Sequence, residues 1–131
     1  MMENDSFLTL FYAGTMSRAR VRKYTKRMCR YFNLEPPPLH WARRGKDSYL
    51  GWQDHTGLTV NIDKGQWAPI LLAHEVAHWV CYKKDWNYDE GHGPEWLRVY
   101  IEILDRARMI PKEAMKTICR RYKLKIKRGE L

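Results

Sequence analysis

The 131-residue sequence predicts a single α+β domain: an N-terminal helix, a three-stranded antiparallel sheet, a central helix and two C-terminal helices. Three observations carry this reading. Apolar side chains recur at helical spacing towards both ends of the chain. Three short aromatic and branched runs, separated by turn signals, follow a proline triplet. An apolar stretch over 70–82 is too long for a strand. The length suits one domain that buries its core without disulfides, so 1–131 is read as one unit, with 1–15 as a flexible N-terminal segment and 123–131 as a basic tail.

Over 16–32, Val21, Tyr24, Met28 and Tyr31 recur every three or four residues, and Arg18, Arg22, Lys26 and Arg30 line another face. Pro36, Pro37 and Pro38 end any helix there. Strands are expected over 39–43, 49–53 and 58–62, joined by hairpin turns at Gly45-Lys46-Asp47 and Asp54-His55-Thr56-Gly57. Leu58, Val60 and Ile62 face inward in the third, and Thr59 and Asn61 outward. Pro69 suits the first turn of the central helix, Pro94 opens the next with Leu97, Tyr100, Ile101 and Leu104 as its stripe, and Pro111 opens the last with Met115, Ile118 and Tyr122.

The net charge of +9 is unevenly spread. Residues 16–46 and 106–128 each hold ten basic side chains against one acid, whereas 47–105 holds four against ten. Two basic flanks thus frame an acidic centre. The acids ahead of the first apolar run have the wrong polarity for a signal peptide, and no run approaches transmembrane length. Cys29, Cys81 and Cys119 are odd in number and widely spaced, which excludes a disulfide framework or a cysteine ribbon and points to a reducing cytoplasm.

His74-Glu75-Val76-Ala77-His78 is an HExxH motif. On a helix its two imidazoles lie one turn apart on one face, where they can share one metal ion. Zinc is expected because imidazole suits it, with Glu75 taking the proton of a zinc-bound water and passing it to a leaving amine. A catalytic zinc needs a third protein ligand. His92, between Gly91 and Gly93 and just ahead of Pro94, is the favoured candidate; Glu95 is the rival, and Asp89 and Glu90 are weaker ones. His40 and His55 lack ligand spacing, Cys81 reads as core, and Tyr82 and Tyr88 fit loop or interface positions as well as an oxyanion role.

The pair HEVAHW and GHGPEW resembles the SprT-like (Spartan-related) metallopeptidases, in which HExxH is followed by a histidine in an HGxxF or HGxxW setting. The resemblance spans roughly 16–108. It implies a zincin-like (minigluzincin-type) fold, His74, His78 and His92 as zinc ligands, Glu75 as general base, and an endopeptidase acting on protein substrates, DNA-associated ones among them. Trp96 stands where the family often has Phe. The cysteine ribbon that several members carry is missing here, which leaves substrate targeting open; a bare catalytic domain is also compatible with a viral gene and hence a host cytoplasm.

Zincin substrates commonly bind extended along an edge strand, which places Thr59 and Asn61 at the cleft. The basic flanks, interleaved with Tyr24, Tyr31, Trp41 and Tyr122, suit non-specific contact with DNA phosphates. The alternative function is a nucleic-acid-binding or adaptor protein whose zinc is structural or vestigial. The sequence indicates no membrane partner and leaves the oligomeric state undetermined.

Overall fold

The computed structural model describes residues 17–41, 51–54, 57–60, 69–84 and 92–128. Among them are helices α1 (Arg18–Arg30), α2 (Pro69–Lys84), α3 (Pro94–Arg106) and α4 (Lys112–Arg121), and strands β1 (Leu39–Trp41), β2 (Gly51–Asp54) and β3 (Gly57–Val60). The N-terminal segment, Gly45-Lys46-Asp47, His55, Asn61, Tyr88, Asp89 and Glu90 lie outside the described residues.

Helix α1 starts where the Ser17 hydroxyl accepts the Arg20 N–H at 3.2 Å. Its buried stripe is Val21, Thr25, Met28 and Cys29, with Tyr24 and Tyr31 only partly covered, while the predicted basic row faces solvent. The helix ends on Asn33 at φ 57°, with the Asn33 N–H bonded to Arg30 O and the Leu34 N–H to Cys29 O. This is a Schellman closure, and α3 and α4 end the same way on Arg108 and Lys123.

The sheet corrects the antiparallel expectation. Its order is β1-β3-β2, with β1 parallel and β2 antiparallel to β3. Asp54 pairs with Gly57, so β2 and β3 form the second expected hairpin. β1 and β2, expected to form the first hairpin, are not paired with each other and lie on opposite sides of β3. Gly57 explains how β1 joins: it has φ +139°, a Cβ there would collide with the Pro38 carbonyl, and that carbonyl accepts the Leu58 N–H at 2.9 Å.

Helix α2 is the centre of the domain, in contact with α1, α3, β2 and β3. Neighbours on several sides explain its sequence: Leu72, Ala73, Val76, Ala77, Trp79, Val80 and Cys81 are all buried, so the helix is apolar around most of its circumference. The polar side chains of its middle turns, His74, Glu75 and His78, are exceptions in a setting where an unpartnered polar group costs stability.

On α3, Leu97, Ile101 and Leu104 are buried as predicted, and Trp96, Val99 and Ile103 add a second covered face against α2. The predicted stripe of α4 is displaced. Cys119 is its buried residue and Met115 packs against the core, but Ile118 and Tyr122 are 43% and 68% exposed. Because Pro111 has no side-chain oxygen, the start of α4 is capped from α3, where Asp105 Oδ1 accepts the Lys112 N–H at 2.8 Å. Glu102 reinforces the joint by pairing with Arg106 at 2.8 Å and Lys112 at 2.9 Å. No described helix is long and apolar enough to cross a membrane.

Candidate metal centre

One turn of α2 separates His74 from His78, and the glycine-flanked segment before α3 brings His92 to them. His92 Nε2 lies 3.0 Å from His74 Nε2 and 3.0 Å from His78 Nε2. An imidazole nitrogen carries either one hydrogen or one lone pair along a single in-plane direction, so His92 Nε2 cannot satisfy both neighbours by hydrogen bonding. A cation accepts all three lone pairs at once. Ligands at about 2.0–2.1 Å from a tetrahedral zinc stand roughly 3.3–3.4 Å apart, comparable to the two 3.0 Å separations from His92, and all three ligand atoms lie within 4.8 Å of one another. The donor set therefore fits a metal ion that favours imidazole.

The surroundings keep this set ready for a cation. Burial, with the charge of His92 adding to it, lowers the pKa of His74 to about 4; burial also lowers that of His78 to about 4, helped by both neighbouring imidazoles. Each is uncharged at neutral pH with its lone pair available. Burial raises the Glu75 carboxyl to about 7. The 3.8 Å approach of Glu75 to His74 is accordingly not an ion pair at neutral pH, since His74 carries no charge. Glu75 is 16% exposed, beside His74 and on the helix that carries two of the imidazoles.

No family model, curated protein or solved structure matches this chain.

The remaining candidates separate on geometry. Glu95 is not among the clustered ligand atoms; it sits in the first turn of α3, and its charge adds to burial in pushing the Cys81 thiol up to about 12. Cys81 is buried and likewise outside the cluster. Tyr82 packs on Trp79 with ring centres 5.6 Å apart. Thr59 pairs with His40 of β1 on one side and Trp52 of β2 on the other. Strand β3 is thus central over its described length, and the expectation that it offers a free edge there is corrected.

Sequence reading passed over two roles. Trp96 sits against all three imidazoles, with ring centres 4.9 Å from His74, 5.3 Å from His78 and 4.6 Å from His92. Its indole N–H donates to the His74 main-chain carbonyl at 3.3 Å. Tyr100 stacks on Trp96 at 4.8 Å and meets His74 edge-on at 5.9 Å, with burial pushing its phenol up to about 12. The signal was present in part: 96 and 100 are spaced by four on α3, which aligns them along one side of the helix that follows His92.

Proposed function

We propose that the chain is a zinc-dependent endopeptidase of the SprT-like kind, hydrolysing peptide bonds of protein substrates, DNA-associated proteins among them. The observation that carries the reading is the convergence of three imidazole Nε2 atoms beside the partly buried carboxyl of Glu75. When bound, zinc supplies Lewis-acid chemistry, polarising a carbonyl and lowering the pKa of water. His74, His78 and His92 would hold it. Glu75 is the base: a carboxyl brought near neutrality by burial is matched to taking a proton from the attacking water and giving it to the leaving amine nitrogen. The fold assignment belongs to the same proposal, with a zincin-like (minigluzincin-type) arrangement of a histidine-bearing central helix over a small sheet and a following helix preceded by the third ligand.

Structural zinc sites are closed by four protein ligands, whereas the cluster among the described residues has three. That difference favours the enzyme over an adaptor with a structural zinc. The deciding experiment measures zinc content and proteolysis of a protein substrate for the wild type, Glu75→Gln and His92→Ala. The expected outcome is full zinc with no cleavage for Glu75→Gln, and zinc loss for His92→Ala. Cleavage by Glu75→Gln at the wild-type rate overturns the proposal.

The exposed row Arg18, Arg22, Lys26 and Arg30 supports non-specific DNA contact, with Arg18 and Arg22 also lying over the Trp41 ring at 5.1 and 5.4 Å. Affinity for a DNA oligonucleotide should fall steeply with salt and show no base preference. Affinity that barely changes between low and moderate salt sinks this part of the reading.

A further inference from the structure

A groove of about 780 Å³ runs between α3, α4 and the tail over 124–128. Of its eleven described lining residues seven are Lys or Arg and four are apolar, with no acid and no aromatic ring among them. The cations are only partly neutralised. Lys112 pairs with Glu102, and Lys116 lies 3.6 Å from an 81% exposed Glu113. Among the described residues Arg120, Lys125 and Arg128 have no carboxylate partner. Like charges around a concave surface repel one another and focus a positive potential into it. An anionic occupant relieves that repulsion.

The apolar part of the groove decides which anion. Ile101, Cys119, Leu124 and Ile126 form it, and Leu124 is 51% exposed. Sequence-tolerant binding of single-stranded nucleic acid relies on aromatic platforms for the bases, which this lining lacks. An apolar surface rimmed by cations complements a polypeptide in which acidic and apolar residues alternate by face.

We infer that this groove is a docking surface for an acidic, amphipathic segment of a protein substrate, built on the helix that follows His92. The placement follows from the tail. The Lys127 N–H donates to the Pro94 carbonyl at 3.2 Å and Arg98 donates to the Lys127 carbonyl at 2.7 Å, so the groove is fastened to the first turns of the helix that follows His92. The substrate role rests on the peptidase reading; the binding itself does not.

The test uses the Glu75→Gln full chain and three fluorescent probes: a short amphipathic Glu/Leu peptide, an oligoglutamate of equal length, and a single-stranded oligonucleotide. The Glu/Leu peptide should bind at least tenfold more tightly than oligoglutamate. Arg120→Glu combined with Lys125→Glu should weaken it tenfold or more, and Leu124→Ser severalfold, with zinc content unchanged and oligonucleotide affinity unaffected by Leu124→Ser. Peptide affinity untouched by the charge reversal overturns the inference. So does oligoglutamate binding as tightly as the Glu/Leu peptide, or a charge reversal that weakens only the oligonucleotide. In the active protein, the charge reversal should raise KM severalfold for a protein carrying the Glu/Leu segment and leave kcat unchanged; a changed kcat with the same KM counts against a docking role. If the peptide binds as described and the wild type cleaves nothing, the peptidase reading falls while the docking surface stands.

Discussion

The indole N–H of Trp96 donates to the main-chain carbonyl of His74 at 3.3 Å, joining the helix that carries two imidazoles to the helix that follows the third. His74 is therefore positioned by a bond to its own backbone as well as by ring contact. Trp96→Phe keeps an aromatic ring against the imidazoles and removes the bond. Zinc affinity, measured by competition with a chelator, should fall roughly tenfold, the lower end of what loss of an orienting partner costs a metal site. Unchanged affinity means that the bond does not position His74.

Glu75 gives the metal-free protein a pH dependence of definite sign. Its carboxyl has an ordinary value of 4.5 and is raised to about 7 in the fold. The protonated form is thus favoured by folding, and its contribution is fully present below about 4.5 and lost as pH rises through about 7. Glu75→Gln has no such loss and shares His74 and His78 with the wild type, so their opposite dependence largely cancels in the comparison. In chelator-treated samples the variant should gain on the wild type by on the order of 2–3 kcal/mol between pH 4.5 and 8. Denaturant titrations across that range check it, and a constant difference rules it out.

What the sequence made legible follows from locality. His74 and His78 are fixed relative to one another by helix geometry alone, and the glycines and proline around His92 mark a turn into a helix. Strand direction is not local: β1 has three residues, and its parallel pairing depends on Pro38 meeting Leu58, twenty residues away in the chain. The α4 stripe was misplaced because Met115 starts two adjacent rows, one through Ile118 and Tyr122 and one through Cys119. The larger side chains drew the assignment, although the smaller thiol is the one that is buried. Helix ends escaped notice because Asn33, Arg108 and Lys123, not glycines, take the left-handed position.

Glu102 is the buried acid among the described residues, and its role is structural. Burial by itself raises its pKa, but hydrogen bonds from Lys112 and Arg106 outweigh that and hold it below the ordinary carboxylate value. Its stabilising contribution is present above pH 4.5 and is lost as pH falls through that value and below. Glu102→Gln should cost about 1–3 kcal/mol at neutral pH, moderated because Arg106 and Lys112 can turn to water. The deficit should shrink towards pH 3 in urea titrations; a deficit that persists there points to packing instead of charge.

Gly57 allows β3 to lie beside β1. Alanine at this position meets both an unfavourable φ of +139° and the Pro38 carbonyl. Gly57→Ala should destabilise by about 2–4 kcal/mol, combining backbone strain with displacement of the strand. Because β3 is also in contact with α2, zinc affinity should fall with it. Thermal melts and zinc titration together decide the matter, and a loss below about 0.5 kcal/mol shows that the strand pair yields easily.

Arg108 tests the opposite substitution. It holds φ 60° at the end of α3, where its N–H reaches Asp105 O at 3.0 Å and the Met109 N–H reaches Leu104 O at 2.9 Å. A left-handed conformation costs an L-residue with a Cβ about 1–2 kcal/mol, and glycine escapes that cost while gaining freedom in the unfolded chain. The Arg108 side chain is exposed and makes no ion pair among the described residues, so little is lost on removing it. Arg108→Gly should therefore stabilise the domain by roughly 0.5–1 kcal/mol with zinc affinity unchanged. Lower stability means that the entropy gained by the unfolded chain outweighs the strain relieved at this helix end.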